Sequence, residues 1–341
     1  MDPQESDYLL SVRDLRTYFH LYEGVVRAVD GVSFDIRQGQ TIGIIGESGC
    51  GKSVTVQSIM RLVPTPPGRI EGGQMLFCLP GENGRQRDVV DLAGLPINSP
   101  ELQRIRWRHI AMVFQEPMTA FSPVHTVGDQ IIEAMQFHIP GLSRRQARAE
   151  AIELLKSVGI PRADKLVDAY SYQFSGGMRQ RAMIAMALSC HPELLIADEP
   201  TTALDVTVEA QILALLKDVQ RKYNMAMLYI SHDLAVVGQI ADDIMVMYLG
   251  MAVELANVRE VFRNPLHPYT QALWRSIPSV DGPLERLVPI VGTLPHPYAP
   301  RAGCPFYSRC EQRLDQCKSM VPEFVEATPG HQVRCHLFRQ G

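Results

Sequence analysis

One short segment constrains the fold of this chain more than any other, because residues 46–53 match the pattern G-x-x-x-x-G-K-[ST]. The segment reads Gly46-Glu47-Ser48-Gly49-Cys50-Gly51-Lys52-Ser53. A short apolar run at 41–45 precedes it and predicts a buried strand, and residues 54–62 follow with apolar side chains at helical spacing. A strand, a glycine-rich turn and a helix in this order form a phosphate-binding loop. The chain is therefore predicted to bind a nucleoside triphosphate.

Each part of this loop has a physical role at a triphosphate. The glycines let successive backbone N–H groups point at the phosphates, and the helix that begins near Val54 adds its positive end. Lys52 is predicted to reach the β- and γ-phosphates, and the Ser53 hydroxyl to bind Mg²⁺. Cys50 has a small side chain that leaves the backbone donors accessible. The loop alone does not say what the triphosphate is used for.

A second apolar run, residues 194–197, ends in two carboxylates, Asp198 and Glu199. Such a pair after a strand is often no more than the first turn of a helix. With a phosphate-binding loop in the same chain, however, we expect Asp198 to hold Mg²⁺ through water and Glu199 to polarise the attacking water.

The order of elements predicts an α/β fold. Residues 194–197, 206–220 and 227–230 read as strand, helix and strand, which predicts a parallel sheet covered by helices. Residues 25–29 and 32–36 predict two strands separated by a turn. Residues 80–100 predict a loop on an antiparallel lobe, because glycine and proline recur there.

Composition limits the classes of partner. The 341 residues include 33 basic and 37 acidic side chains, so no strong field of one sign would attract nucleic acid. No run approaches the ~18 apolar residues that span a bilayer, and the first residues lack the features of a signal peptide. We expect a soluble chain that does not bind nucleic acid.

Further motifs follow one another in a fixed order, and with them the chain resembles the ABC ATPases. The residues that correspond to the Q-loop, the signature sequence, the D-loop and the switch histidine are Gln115, Ser175-Gly176-Gly177, Ala203-Leu204-Asp205 and His232. The resemblance covers about residues 8–260. Its departures are small, since Phe174 and Met178 replace a leucine and a glutamine of the family's signature.

The resemblance implies a P-loop NTPase cassette with a RecA-like parallel sheet core, an antiparallel β lobe and a helical subdomain at about 116–190, all within 8–262. It implies an ATPase in which Glu199 is the general base or orients the water, while His232 and Lys52 contact the γ-phosphate. Gln115 joins Ser53 and Asp198 at Mg²⁺.

The same resemblance implies a dimer, because the signature helix that opens at Ser175 is expected to lie too far from its own nucleotide. Ser175, Gly176, Gly177 and Asp205 are then expected to face ATP bound on a second subunit. An aromatic side chain near the end of the first strand is expected to stack on adenine; Phe19 is favoured, with Tyr18 as the alternative.

The last part of the chain, 263–341, is rich in proline and contains four cysteines: Cys304, Cys310, Cys317 and Cys335. Together with residues 264–270 they resemble the C-terminal extension of ATPases from oligopeptide and dipeptide permeases, a group that includes nickel and glutathione importers. The resemblance implies a small irregular module with a [4Fe–4S] cluster on the four thiolates; zinc or an empty site is the alternative.

These expectations combine into one function, the ATP-hydrolysing subunit of a prokaryotic ABC importer for short peptides, with nickel or glutathione as alternative solutes. The resemblance implies a second, different ATPase subunit, two transmembrane permease subunits and an extracytoplasmic solute-binding protein, with this chain peripheral on the cytoplasmic face of the membrane. Two alternatives are a soluble ABC ATPase that acts on nucleic acid or ribosomes, and an iron–sulfur regulatory protein with a vestigial cassette.

Overall fold

The structure, a computed structural model, describes residues 8–79, 88–116, 120–202, 204–276, 290, 292–299 and 302–338. The strands are β1 (Leu10–Leu21), β2 (Gly24–Ile36), β3 (Thr41–Ile45), β4 (Gly68–Leu79), β5 (Asp88–Asp91), β6 (Ile110–Val113), β7 (Leu194–Asp198), β8 (Ala226–Ile230), β9 (Asp243–Tyr248), β10 (Met251–Asn257), β11 (Val325–Thr328) and β12 (His331–Val333). The helices are α1 (Lys52–Ile59), α2 (Pro100–Arg108), α3 (Val127–His138), α4 (Arg144–Ser157), α5 (Ala163–Leu166), α6 (Gly176–Leu188), α7 (Val206–Tyr223), α8 (Leu234–Ile240), α9 (Val258–Arg263) and α10 (Pro268–Arg275).

The larger sheet carries the phosphate-binding loop. Its strand order is β11-β12-β10-β9-β3-β8-β7-β6, and the five strands from β9 to β6 run parallel. Ile44, Ile230 and Asp198 lie side by side on β3, β8 and β7. The carboxyl ends of these strands therefore meet at one edge, where the loop after β3 and the carboxylates after β7 come together.

Both faces of this sheet are covered, and the side chains of its strands alternate between two cores. On β7, Leu194 and Ile196 pack in one core while Leu195 and Ala197 pack in the other. A strand with both faces buried reads as a continuous apolar run, which is why β3 and β7 could be recognised from sequence.

The smaller sheet is antiparallel, with the order β2-β1-β4-β5. The prediction of two strands within 25–36 was wrong, because β2 is continuous. Gly31 adopts a φ of 81°, and β2 keeps its pairing with β1 on both sides of it. The loop predicted at 80–100 was wrong in part, since β5 pairs with β4; residues 80–87 lie outside the described residues.

The last part of the chain is attached to the same architecture. β12 pairs with β10 and thereby extends the larger sheet, and Phe306 and Tyr269 are buried in the main core. A separate cysteine-rich module is therefore not confirmed. Residues 277–289 of the predicted proline-rich segment lie outside the described residues. Within the described part of the chain, no helix is both long enough and apolar enough to cross a membrane.

Candidate functional site

The phosphate-binding loop needs glycine at two positions for steric reasons. Gly46 has a φ of 149°, and a Cβ there would lie 2.2 Å from the Met247 carbonyl oxygen. Gly51 has a φ of 103°, and its Cβ would lie 2.2 Å from the Ala28 carbonyl oxygen. Because backbone atoms cannot move aside cheaply, only glycine lets the loop turn this closely over the sheet.

Lys52 and Ser53 begin α1 directly after this turn. The buried Lys52 ammonium donates to the carbonyl oxygens of Gly46 at 2.8 Å and Glu47 at 3.3 Å, which holds it inside the loop. The Ser53 hydroxyl donates to Asp198 Oδ1 at 3.0 Å. Burial raises the pKa of Asp198, while this hydrogen bond opposes the rise.

Three residues from separate segments meet at the Glu199 carboxylate. Glu199 Oε2 accepts hydrogen bonds from Gln115 Nε2 at 3.1 Å and from the Thr202 hydroxyl at 3.0 Å. His232 Nδ1 lies 3.4 Å from the same oxygen. Glu199 itself has a φ of 46°, and its N–H donates to the Ile230 carbonyl oxygen at 3.0 Å. The main chain at Glu199 is thus held against the end of β8.

The signature and D-loop residues form a different surface. Ser175 caps α6 by accepting from the Met178 N–H at 3.3 Å, and Asp205 caps α7 by accepting from the Val208 N–H at 3.0 Å. Both caps are exposed. An open cavity is lined by Ser175, Gly176, Gly177, Met178, Arg181, Leu204, Asp205, Val208 and Gln211. Ala203, the first residue of the predicted D-loop, lies outside the described residues.

The two candidates for adenine stacking differ in their contacts. The Tyr18 hydroxyl donates to Asp30 Oδ1 at 2.7 Å, and the Arg27 guanidinium lies 5.7 Å from the centre of its ring. The half-buried Phe19 ring lies beside Gly68 at the start of β4. The choice of Phe19 stays a prediction.

The residues of the loop and of β7 fit a magnesium nucleotide. The glycine turn and the N-terminus of α1 offer backbone donors, Lys52 offers a cation, and Ser53 and Asp198 offer oxygens in contact with one another. Gln115, the third predicted magnesium ligand, donates its amide to Glu199, and its role at the ion stays a prediction.

The structure does not support the predicted iron–sulfur site. Among the described residues, no three or more His, Cys, Asp or Glu side chains form a group that could hold a metal ion. The cysteines Cys304, Cys310, Cys317 and Cys335 are free thiols. Burial raises the pKa of Cys304 to about 12 and that of Cys335 to about 11, which favours the protonated thiol over the thiolate that a metal requires. The prediction of a [4Fe–4S] cluster on these four residues was wrong.

Sequence reasoning missed three residues that contact the site. Thr202 donates to Glu199, as described above. Tyr269 and Arg309, both distant in sequence, bind Glu47 of the loop. Thr202 follows the carboxylate pair closely enough to have been found from spacing, whereas no local signal links residues 269 or 309 to residue 47.

Family profiles, related sequences and a solved structure were found that are similar to this chain. Residues 29–202 match the family profile described as "ABC transporter", and residues 253–317 match "Oligopeptide/dipeptide transporter, C-terminal region". The chain is 45% identical to the oligopeptide transport ATP-binding protein AppD of Bacillus subtilis, over 97% of each chain. It is 46% identical to the dipeptide transport ATP-binding protein DppD of the same organism, over 96% of this chain and 94% of that one. A dimeric structure of MJ0796, a bacterial ABC transporter cassette, aligns with a TM-score of 0.63 at 25% identity, covering 73% of this chain and 99% of that one.

Proposed function

The chain belongs to the ABC transporter family of ATP-binding proteins, and on that premise we propose that it hydrolyses ATP to power the import of short peptides. The observation that carries the proposal is the pairing of two groups at one sheet edge. Ser53 contacts Asp198, and Glu199 beside it contacts Gln115 and lies close to His232. A module that only binds nucleotide would have no need for the group formed by Glu199, Gln115 and His232.

The roles of the residues follow from their positions. Lys52 and the backbone N–H groups of the loop bind the phosphates and fix their orientation. Ser53 and Asp198 would hold a magnesium ion, and that ion would neutralise charge on the phosphates. Glu199 accepts a proton from, or orients, the water that attacks the γ-phosphate.

Gln115 and His232 support this carboxylate. The amide of Gln115 and the hydroxyl of Thr202 fix the direction of the Glu199 side chain through hydrogen bonds. His232, exposed and 3.4 Å from Glu199, is free to contact the γ-phosphate when a nucleotide is bound. Glu199 thus contacts Gln115 and lies close to His232, so a movement of either side chain can displace its carboxylate.

A second subunit completes the site in this proposal. Ser175, Gly176 and Asp205 are exposed, and no residue of the phosphate-binding loop lines their cavity in the described part of the chain. Gly177, at the start of α6, belongs to the same surface. The dimeric cassette MJ0796 offers a precedent for such pairing. We take the second subunit to be a different ATPase.

Peptide is proposed as the solute because the two relatives compared above are named as oligopeptide and dipeptide transport proteins. The complete transporter would add two transmembrane permease subunits and an extracytoplasmic solute-binding protein, with this chain on the cytoplasmic face. We further propose that 8–262 forms the ATP-binding domain, that 263–341 forms its C-terminal extension, and that Phe19 stacks on adenine.

Reconstitution tests this function. The chain is co-expressed with the permease subunits and the second ATPase of the proposed transporter, purified in detergent and placed in liposomes with the binding protein. We expect ATP hydrolysis to rise when a labelled dipeptide or tripeptide is added and the peptide to accumulate on the ATP side. The matched control is Lys52→Ala, which should abolish both. Stimulation by DNA or ribosomes, without association with the permease, would contradict the proposal in favour of a soluble ABC ATPase.

A further inference from the structure

Glu47, the second residue of the phosphate-binding loop, is bound by two residues from much later in the chain. Its N–H donates to the Tyr269 hydroxyl at 3.0 Å. Its carboxylate receives both arms of the Arg309 guanidinium, with Nη1 to Oε2 at 2.7 Å and Nη2 to Oε1 at 3.1 Å. This forked geometry fixes direction as well as distance, which a single ion contact does not.

Tyr269 and Arg309 are both packed among buried aromatic side chains. Tyr269 and Tyr248 are fully buried, and their ring centres lie 4.6 Å apart. Phe306 packs against both rings. The Arg309 side chain is only 4% exposed, and its guanidinium also lies 3.4 Å from the Tyr248 hydroxyl. Because these groups are packed, they can hold Glu47 in one place instead of following it.

Charge makes this contact relevant to the nucleotide. Glu47 carries the one carboxylate within residues 46–53, the segment that must accept a polyanion. An unpaired carboxylate there would repel the phosphates, and its side chain is 25% exposed, so water screens it only in part. The Glu47 carbonyl oxygen also accepts from the Lys52 ammonium at 3.3 Å, so a displacement of Glu47 would disturb the lysine.

We propose that Arg309 is a positioning residue for nucleotide binding: its forked ion pair with Glu47, aided by Tyr269, holds the phosphate-binding loop in its binding geometry and cancels the loop's negative charge. The inference rests on the proposed ATP-binding function. It assigns to the C-terminal part of the chain a direct influence on the affinity for ATP. Because Arg309 binds Glu47 of the phosphate-binding loop, its loss should affect ATP binding and KM much more than kcat.

Equilibrium titration of ATP into the purified full-length chain, by calorimetry, tests this independently of turnover. We expect Arg309→Ala to raise the Kd roughly tenfold, because it leaves the Glu47 carboxylate uncompensated. Arg309→Lys keeps the charge but loses the fork, so its Kd should rise by about threefold. The double variant Arg309→Ala with Glu47→Gln removes both charges, and its Kd should return to within about threefold of the wild type.

Arg275→Ala is the matched control. Arg275, on α10, pairs with Glu311 at 3.6 Å on the exposed surface of the same region, and its loss should leave the Kd unchanged. Circular dichroism checks folding; if Arg309→Ala does not fold, Arg309→Lys and the double variant decide the question. A wild-type Kd in Arg309→Ala, or a double variant that binds as weakly as the single variant, would overturn the inference. Failure of the wild type itself to bind ATP would instead overturn the proposed function.

Discussion

Two surfaces of this chain are both expected to face ATP, yet they differ in how they are built. Lys52 and Asp198 are buried, and Ser53 and Glu199 are partly buried and bonded to neighbouring groups. Ser175 and Asp205, in contrast, are exposed, and in the described part of the chain their side chains serve as helix caps. The first surface is organised by contacts within its own chain, whereas the second lines an open cavity. This difference is what a site divided between two subunits requires.

Capping explains how the exposed surface keeps its shape without a ligand. The first N–H groups of a helix have no partner within the helix, and Ser175 and Asp205 each satisfy one of them. The N–H groups at the start of α6, at Gly176 and Gly177, have no partner within the helix and are therefore expected to be available for an anion. The buried surface instead keeps its shape through contacts between strands and the loop.

The largest expected effect comes from breaking the buried surface at Glu199. Glu199→Gln keeps the size of the side chain but removes its charge, so ATP hydrolysis in the assembled transporter should fall by about 10² or more. ATP binding should persist, and the dimer should remain closed. The control is Glu153→Gln, which changes an exposed carboxylate paired with Lys156 and should hydrolyse ATP at the wild-type rate. If Glu199→Gln hydrolysed ATP at the wild-type rate, Glu199 would not be the catalytic carboxylate.

A smaller effect is expected from the exposed surface at Gly176. Apart from its chain neighbours and its own helix, a Cβ added at Gly176 would meet no described atom within 4 Å, so we expect Gly176→Asp to fold normally. The new charge would face the phosphate on the other subunit, and steady-state hydrolysis should fall by roughly tenfold or more. The isolated chain should bind ATP with unchanged affinity, measured by titration. Gly176→Ala, which adds no charge, should lose much less activity, and an equal loss in both variants would refute the electrostatic explanation.

Acid should lower the stability of the whole fold and should not act selectively on either surface. Burial lowers the pKa of His267 to about 4, from about 6.5 in an unfolded chain. Because the folded pKa is the lower one, protons favour unfolding, and stability should decline as the pH falls from about 6.5 to 4. The loss is at most about 3 kcal/mol.

His267→Asn keeps an acceptor for the Tyr269 N–H at the start of α10 while removing the titration. Its free energy of unfolding, measured by urea denaturation, should therefore vary less across this pH range than that of the wild type. An identical pH dependence in the two proteins would show that other groups control acid stability.

The sequence predicted the strands that carry the buried surface because their signals are local. β3 runs over Thr41–Ile45 as the apolar residues predicted, and Asp198 ends β7 beside the loop through ordinary parallel-strand geometry. The roles assigned to the site residues stay predictions. Continuity of β2 and the existence of β5 depended on pairing with β1 and β4, which a single strand's pattern does not encode.

Features that join distant parts of the chain were out of reach. Glu47 and Arg309 are 262 positions apart, and no local sequence pattern at either residue predicts the contact. The cysteine prediction failed for a related reason. Spacing along irregular backbone does not determine where four sulfur atoms lie or whether their burial leaves them as thiols.

The division of the site between subunits is tested most directly by asking which subunit loses trapped nucleotide in the Gly176→Asp transporter. A radiolabelled photoreactive ATP is trapped with vanadate during turnover, crosslinked by light, and the labelled subunits are separated by electrophoresis. We expect the label to disappear from the second ATPase subunit and to persist on this chain, since Gly176 serves the nucleotide of the other subunit. Loss of label from this chain, with the second subunit still labelled, would contradict the account.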